Sequence, residues 1–168
     1  MRLFIAFWPD SGIRRQIASI QTRYSGSGKP VRPGNFHLTA AFLGQVEENR
    51  VPELHAMIEK IQLPRTKLPL DRLGWFRRSQ VFWLGCRQTP EALLEAVLDL
   101  SRWLEVAGFK TDNRPWQPHV TLYRKMRTEP EIIDPAPVTW PITSLVLVAS
   151  ETRPEGVKYR LIDQGGVV

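Results

Sequence analysis

Apolar runs and amphipathic stretches alternate along the chain and predict an alternation of strands and helices. The apolar run at residues 3–7 ends at a Trp-Pro-Asp segment and predicts a buried strand. Asp10 or Ser11 can cap a helix that extends to about Tyr24, because isoleucines recur within it at helical spacing. After a loop rich in glycine and serine, residues 35–43 predict a second strand, which closes at a glycine.

The second half of the chain repeats this order of elements. Residues 81–85 predict a strand, and Thr89 can cap a helix that has Pro90 in its first turn and Gly108 just past its end. A loop then leads to a strand at residues 119–123. Outside the repeated order, the pattern predicts a helix over residues 48–62 and closing strands at residues 144–149 and 159–162.

The repeated order of strand, helix, loop and strand predicts one α+β domain over residues 1–168, built from two lobes by internal duplication. Proline-bearing segments at residues 64–69 and 134–141 are interpreted as connections between these units. Residues 164–168 are expected to fray.

The composition is that of an ordinary globular protein. A length of 168 residues suits one domain with a sizeable core. The apolar runs are shorter than the roughly 20 residues that span a bilayer, and the N-terminus lacks the pattern of a signal peptide. The single cysteine, Cys86, excludes a disulfide framework and a cysteine-based zinc site. We therefore expect a cytoplasmic protein.

The net charge of +6 favours an anionic partner, and phosphates are the commonest kind. The basic residues are scattered in small groups, such as Arg14 with Arg15 and Arg77 with Arg78. No block of five or six basic residues suggests a nucleic-acid tail. The charge is compatible with a phosphate-bearing ligand and does not identify one.

Two of the three histidines lie in the same frame, His-x-Thr, at His37 with Thr39 and at His119 with Thr121. Side chains alternate between the faces of a strand, so each strand directs its histidine and threonine to one face. On the first strand the opposite, core-facing set is predicted to be Phe36, Leu38, Ala40 and Phe42. If a pseudo-two-fold axis relates the lobes, the two His-Thr pairs face each other across a groove.

Two imidazoles and two hydroxyls are sufficient to break a phosphodiester without a metal. Imidazole has a pKa of about 6.5, so a neutral ring can take a proton from a nucleophile while a charged ring gives one to a leaving oxygen. Threonine hydroxyls can donate hydrogen bonds to phosphate oxygens. The sequence has no phosphate-binding glycine-rich loop, serine elbow or metal-ligand cluster, so no cofactor or metal is expected. The third histidine, His55, is expected to be partly exposed and uninvolved.

At these residues the chain resembles the 2H phosphoesterase superfamily, which is named for two His-x-Thr motifs. Within it, the chain is most similar to the RNA 2′,3′-cyclic phosphodiesterases, also described as LigT-like proteins or 2′-5′ RNA ligases. The matching stretches are RLFIAFWP at the N-terminus, NFHLTAAFLGQV around His37 and WQPHVTLYR around His119. They are spread over the whole length of the chain.

The resemblance implies a bilobal α+β domain with an antiparallel sheet in each lobe, helices packed outside and an active groove between the lobes. It implies metal-independent hydrolysis of RNA 2′,3′-cyclic phosphate ends to 2′-phosphates, with tRNA fragments as one candidate substrate. In that scheme His119 is the general base that activates water, and His37 is the acid that protonates the departing 3′-oxygen. Thr39 and Thr121 hold the phosphate. No membrane or protein partner is implied.

Tyr123 and Arg124, which follow the second motif, are further candidates for substrate binding. The family often has a basic residue shortly after this motif, and Arg124 matches that position. Strict alternation, however, puts Arg124 on the face opposite His119, so the strand has to end, bulge or twist at Tyr123 for Arg124 to reach the phosphate. Alternation puts Tyr123 on the groove face, where its ring could stack on a base or serve in packing. Phe7 and Trp116 are other aromatics that could line the groove, although the favoured interpretation of Trp116 is that it anchors its loop against the second lobe.

Three other functions are candidates for the same residues, and the imidazole pair argues against the third. The same site could join an RNA 5′-hydroxyl to a 2′,3′-cyclic phosphate, because microscopic reversibility allows both directions. A 2H esterase could act on a small cyclic nucleotide or an ADP-ribose derivative. A non-catalytic RNA-binding module would not need a pair of imidazoles. The near-symmetric motifs also allow the acid and base roles of the two histidines to be exchanged.

Overall fold

The computed structural model of the protein describes residues 1–26, 28–112, 114–154, 156–163 and 166–167. No helix in this described part is long and apolar enough to cross a bilayer. In chain order the elements are β1 (Arg2–Phe7), α1 (Ser11–Gln21), β2 (Lys29–Pro30), β3 (Leu38–Gln45), α2 (Val51–Lys60), β4 (Thr66–Leu70), β5 (Arg72–Phe76), β6 (Val81–Gly85), α3 (Glu91–Val106), β7 (His119–Arg124), β8 (Val138–Ile142), β9 (Leu145–Arg153), β10 (Gly156–Asp163) and β11 (Gly166–Val167).

Two antiparallel sheets form the two lobes. Sheet A has the strand order β11-β10-β9-β1-β3, and sheet B has the order β2-β7-β6-β5. In each sheet the strand of the His-x-Thr motif pairs with the strand that opens its repeat, β3 with β1 and β7 with β6. The predicted α+β fold with an antiparallel sheet in each lobe is confirmed.

Each helix that connects these paired strands contacts the other lobe. α1 follows β1 of sheet A, yet its last residue, Gln21, donates a hydrogen bond of 2.7 Å to the backbone of Leu122 in sheet B. α3 follows β6 of sheet B and contacts β3 of sheet A. The strands β3 and β7 also contact each other, and one hydrophobic core contains residues of both lobes. The two motif strands are therefore held side by side by helices that cross between the lobes.

The helix ends agree with the prediction at two positions and differ at one. The Asp10 carboxylate accepts a hydrogen bond of 2.8 Å from a first-turn N–H and caps α1. Gly108 has a left-handed φ of 79° just past α3, where glycine is favoured. The predicted cap of α3 is wrong, because Pro90 occupies the cap position. The Thr89 hydroxyl lies 3.1 Å from the sulfur of Cys86 instead.

Several strands of the structure were not predicted from the sequence. The segments interpreted as connections overlap β4 and β8, which pair as a separate two-stranded sheet with Thr66 opposite Ile142. Pro69 and Pro141 lie within these strands, and both strands have an edge on which a missing N–H donor is tolerated. β5 and the short β2 were also not predicted. Of the segment expected to fray, residues 166–167 form β11, and residues 164, 165 and 168 lie outside the described residues.

Candidate active site

The two histidines are fixed in the same way in the two lobes. His37 immediately precedes β3, and its Nδ1 lies 2.7 Å from the backbone oxygen of Asn35. His119 begins β7, and its Nδ1 lies 2.8 Å from the backbone oxygen of Gln117. A carbonyl oxygen can only accept a hydrogen bond, so each Nδ1 carries the proton. In both rings Nε2 is left to take or give a proton.

The two threonines share a strand face with the histidines, as predicted. Thr39 pairs with Ala6, which belongs to a small apolar cluster outside the main core, together with the Phe4 that packs on His37. Thr121 pairs with Trp83, whose ring packs on His119. Because directly opposite residues of an antiparallel pair project from the same face, both hydroxyls lie on the histidine side.

A β-bulge follows each motif at the same position. The pairing of β3 with β1 skips Ala40, and the pairing of β7 with β6 skips Leu122. Each skipped residue lies three positions after the histidine. A bulge sets two residues of one strand against one of its neighbour, so the residues after it change faces relative to strict alternation.

The bulge at Leu122 turns Tyr123 into the core and Arg124 toward the histidines. Tyr123 is 3% exposed and its hydroxyl donates to the backbone oxygen of Gln21 at 2.9 Å, so the prediction that Tyr123 lies on the groove face is wrong. Arg124 is exposed, and its positive charge adds to burial in lowering the pKa of both histidines. The bulge that Arg124 required to reach the site is therefore present.

Two further aromatic predictions, for Phe42 and Phe7, change in the structure, and Trp116 anchors its loop. Phe42, predicted in the core, is 59% exposed because the bulge at Ala40 turns it to the histidine face. Phe7 is 1% exposed within the main core and does not line the site. Trp116 is half-buried and donates its indole N–H to the backbone oxygen of Thr39 at 2.8 Å. Trp116 thus fastens the loop before β7 to the motif strand of the other lobe.

Gln21 supports the bulge of β7, and the sequence analysis missed it. This side chain is only 6% exposed at the end of α1. Its Nε2 donates to the backbone oxygen of the bulged Leu122 at 2.7 Å and to that of Val31 at 2.9 Å. Both N–H donors of this buried amide are used. Without the glutamine, the two backbone oxygens would each lose a hydrogen-bond donor away from water. The available signal was a glutamine four residues after Ile17, on the apolar side of the helix.

His37 is the more deeply enclosed of the two histidines. Its ring centroid lies 4.9 Å from that of Phe4, 5.6 Å from Trp8 and 5.0 Å from Tyr159. Burial lowers the pKa of His37 to about 4; the hydrogen bond to Asn35 opposes this, and the charges of Arg124 and His119 add to it. In the free protein His37 is therefore neutral near pH 7.

His119 has fewer aromatic neighbours. Its ring centroid lies 5.2 Å from Phe76 and 6.0 Å from Trp83. Trp83 fits there because Gly74 has no side chain: a Cβ at that position would come within 2.1 Å of the indole. Burial lowers the pKa of His119, the hydrogen bond to Gln117 opposes this, and the charge of Arg124 adds to it.

The assembled set is one for moving protons around a bound anion. The charge of His119 acts on His37 and that of Arg124 acts on both rings, and the two threonines lie on the strand faces of the histidines. Such a set can donate and accept protons around an anion. His55 is half-buried on α2. The described residues contain no group of three or more histidine, cysteine, aspartate or glutamate side chains arranged to hold a metal ion.

Comparison with known proteins identifies the family. The family model "LigT like Phosphoesterase" matches residues 7–83. An RNA 2′,3′-cyclic phosphodiesterase of Escherichia coli K12 is 36% identical over 153 residues, which cover 89% of this chain and 86% of that protein. One of the same name from Archaeoglobus fulgidus is 31% identical over 139 residues, covering 80% and 78%. The crystal structure of E. coli LigT complexed with 3′-AMP matches with a TM-score of 0.88 and 33% identity, covering 96% of this chain and 95% of that chain. The chain belongs to the LigT-like family of 2H phosphoesterases.

Proposed function

We propose that this protein hydrolyses 2′,3′-cyclic phosphates at RNA ends to 2′-phosphates, by general acid–base catalysis that needs no metal. The observation that carries the proposal is the matched pair of imidazoles, His37 and His119. Each has its Nδ1 proton on a backbone oxygen 2.7 or 2.8 Å away, and each leaves Nε2 for the substrate. A module that only binds RNA has no use for two rings fixed in this way.

The relatives support the substrate class. The E. coli and A. fulgidus proteins are both named RNA 2′,3′-cyclic phosphodiesterase, and E. coli LigT has been crystallised with 3′-AMP, a nucleotide with its phosphate on the ribose. The net charge of +6 suits an anionic polymer. RNA fragments that end in a cyclic phosphate, including those of tRNA, are the substrates we infer.

The proposed reaction transfers one proton at each end of an in-line displacement. His119 Nε2 takes a proton from water as the water oxygen bonds to phosphorus. The bond from phosphorus to the ribose 3′-oxygen breaks, and protonated His37 gives its Nε2 proton to that oxygen. A 3′-hydroxyl and a 2′-phosphate result. Exchange of protons with solvent then returns both rings to their starting states.

Three side chains bind the phosphate in this scheme. The hydroxyls of Thr39 and Thr121 donate to its non-bridging oxygens, one from each lobe. The guanidinium of Arg124 offsets the negative charge that grows on these oxygens when water adds.

The charge of His37 is coupled to substrate in this proposal. Burial holds its pKa at about 4, so the free ring is neutral, whereas the acid role requires a proton. A nearby anion favours the charged imidazole and raises its pKa. Binding of the cyclic phosphate therefore favours uptake from solvent of the proton that His37 later gives to the 3′-oxygen.

The central experiment incubates purified protein and EDTA with a short RNA that ends in a 2′,3′-cyclic phosphate. We expect wild type to open the ring, and His37→Gln and His119→Gln to lower the rate by about 10²- to 10⁴-fold. His55→Gln is the matched control, because it removes an imidazole from α2, and it should retain activity. Equal rates in wild type and the two site variants, or a rate abolished by EDTA, would contradict the proposal.

A second substrate tests which histidine is the acid. In bis(4-nitrophenyl) phosphate the leaving nitrophenolate departs without a proton, so only the base is needed. We expect His37→Gln to keep most of its activity on this diester and His119→Gln to lose it. The opposite result would exchange the two roles.

The same assay separates hydrolysis from its alternatives. RNA with a 5′-hydroxyl, added at increasing concentration, would yield a joined product if ligation were the main reaction. A preference for mononucleotide cyclic phosphates over RNA ends would indicate a small-molecule esterase.

A further inference from the structure

Arg72 is a second arginine on the histidine face of sheet B, and the proposed reaction does not use it. It begins β5 and pairs with Gly85 of β6, which pairs in turn with His119 of β7. Directly opposite residues of antiparallel strands project from the same face, so Arg72 and His119 lie on one face. Neighbouring strands are about 4.8 Å apart, which places the backbone of Arg72 about 10 Å from that of His119.

The middle position of this row carries no side chain, because it is Gly85. A Cβ there would lie 2.8 Å from the backbone oxygen of Pro118 and 2.9 Å from the ring of Trp83. The indole of Trp83 is only 4% exposed and lies against the glycine. The guanidinium carbon of Arg72 and the ring centroid of His119 each lie 6.0 Å from the Trp83 ring. A flat, buried ring therefore forms the floor between the guanidinium and the imidazole.

The charge of Arg72 is available to a ligand. Arg72 is exposed, and its side chain makes no ion pair or hydrogen bond with any residue in the described part of the chain. The nearby Arg87, by contrast, forms an ion pair with Asp134. The contact of Arg72 is with the face of the Trp83 ring, a cation–π arrangement that leaves all the N–H donors of the guanidinium for another group.

The two arginines on the histidine face of sheet B are too far apart in the sheet to serve one phosphate. Arg124 ends β7, whereas Arg72 lies on β5, the edge strand two strands away. An RNA strand carries one phosphate for each nucleotide. A strand end whose cyclic phosphate lies beside Arg124 therefore has its next phosphate one nucleotide away. Two separate guanidiniums on one face suit two successive phosphates.

We propose that Arg72 binds the phosphodiester on the 5′ side of the terminal nucleotide, so that an RNA end occupies two phosphate sites on sheet B; this rests on the proposed function. The strand leaves the histidines across the indole of Trp83 and reaches the edge strand β5. There the planar guanidinium donates two parallel hydrogen bonds to the non-bridging oxygens of the linkage. Such a contact positions the strand without reading its sequence. Arg72 thus favours RNA ends over mononucleotide cyclic phosphates.

The test uses two dinucleotides that end in a 2′,3′-cyclic phosphate and differ only in the linkage between their nucleosides. One linkage is the natural phosphodiester, and the other is an uncharged methylphosphonate. We expect Arg72→Ala to raise KM for the charged dinucleotide about tenfold and to leave kcat nearly unchanged, because the lost contact is distant from the reacting atoms. The variant and wild type should have equal KM for the uncharged dinucleotide and for adenosine 2′,3′-cyclic phosphate.

Arg65→Ala is the matched control, because Arg65 is another exposed arginine, just before β4, and it should behave like wild type on all three substrates. Lys125→Ala tests the opposite exit, since Lys125 is exposed just after β7. If Lys125→Ala raised KM for the charged dinucleotide alone and Arg72→Ala did not, the strand would leave past the end of β7 and the proposal would fail. It would also fail if Arg72→Ala slowed all three substrates equally, or none of them.

An equilibrium measurement keeps this proposal separate from the proposed function. The two dinucleotides in their 2′-phosphate form, titrated into wild type and Arg72→Ala by calorimetry, report binding without turnover. We expect the variant to lose about tenfold in affinity for the charged dinucleotide alone. A protein that opens none of the cyclic phosphates but shows this loss would refute the hydrolase proposal and support the second phosphate site. A protein that opens all of them and shows no such loss would do the reverse.

Discussion

The two motif strands, β3 and β7, hold their histidine and threonine through the same backbone arrangement and carry different side chains at one later position. Each histidine is fixed by a backbone oxygen two residues before it, and each strand bulges three residues after it. Five residues after the histidine, β3 presents Phe42 and β7 presents Arg124. The comparison teaches that duplication supplies matched positions, while the side chain at one such position differs in charge and polarity between the lobes.

The environments of the two histidines differ as well. Three aromatic rings contact His37, and burial lowers its pKa to about 4. Two aromatic rings contact His119, and burial lowers the pKa of His119 as well. Two copies of one motif therefore lie in different surroundings, and burial lowers the pKa of both imidazoles.

Removal of the charge that distinguishes β7 should have the largest effect. We expect Arg124→Ala to lower kcat/KM by about 10²- to 10³-fold, the usual result of deleting one donor to a developing oxyanion. The pKa of both histidines should rise in the same variant, because the positive charge of Arg124 adds to burial in lowering them. Kinetics on the cyclic-phosphate RNA and NMR titration of the imidazoles measure the two effects.

Arg78→Ala serves as the control for Arg124, because Arg78 is an exposed arginine of the turn between β5 and β6. An equal loss in both variants would mean that only the general charge of the protein matters.

Acid should destabilise the protein chiefly through His37. Its pKa is about 4 in the folded protein and about 6.5 when unfolded, so between these values the unfolded chain binds a proton that the folded chain does not. Stability is therefore intact above pH 6.5 and falls as the pH drops toward 4, by about 3 kcal/mol from this group. Urea unfolding at pH 7 and pH 4 gives the difference.

Substitution of each histidine should change the pH dependence of the stability to a different extent. His37→Gln should remove most of this pH dependence, whereas His119→Gln should remove less. Identical pH dependence in wild type and His37→Gln would refute the burial argument for His37.

Loosening the bulge of β7 should have a smaller effect that acts through Arg124. In Gln21→Leu the buried oxygen of Leu122 loses its 2.7 Å donor, although Val31 N–H still donates to it at 2.9 Å. We expect kcat/KM to fall about tenfold, a change equivalent to one ordinary hydrogen bond. Gln21→Leu in the Arg124→Ala background should cause little further loss, because the residue that the bulge positions is already gone.

Ile17→Val, a buried change on the same helix, controls for stability. Its effect on activity should be slight and should add to that of Arg124→Ala. Full additivity of Gln21→Leu with Arg124→Ala would refute the positioning role of Gln21.

The sequence correctly predicted the strand faces of the two motifs as far as the threonines. Periodicity located β1, α1, β3, β6, α3 and β7, and alternation correctly placed Thr39 and Thr121 on the histidine face. The motif pattern was informative because it is local: two residues along a strand return to the same face whatever packs around it.

Beyond the threonines the prediction failed for a physical reason. A bulge is a property of a pair of strands, and alternation along one strand contains no information about it. At Leu122 the bulged oxygen is bound by Gln21, which is 101 residues distant in sequence. Tyr123 and Phe42 were consequently assigned to the wrong faces. β4 and β8 were missed because proline is rare within strands and marks connections more often.

Because α1 and α3 cross between the lobes, the motif strand of each half is contacted by a helix from the other half. A chain cut between α2 and β4 would leave β7 without the glutamine that binds its bulge, and β3 without the helix and the tryptophan that contact it. Each fragment carries one of the two His-x-Thr motifs, and each supplies contacts that support the other's motif strand. The relative placement of the two imidazoles thus depends on contacts from both halves of the chain, in the way that an interlocked dimer fixes a site shared by its subunits.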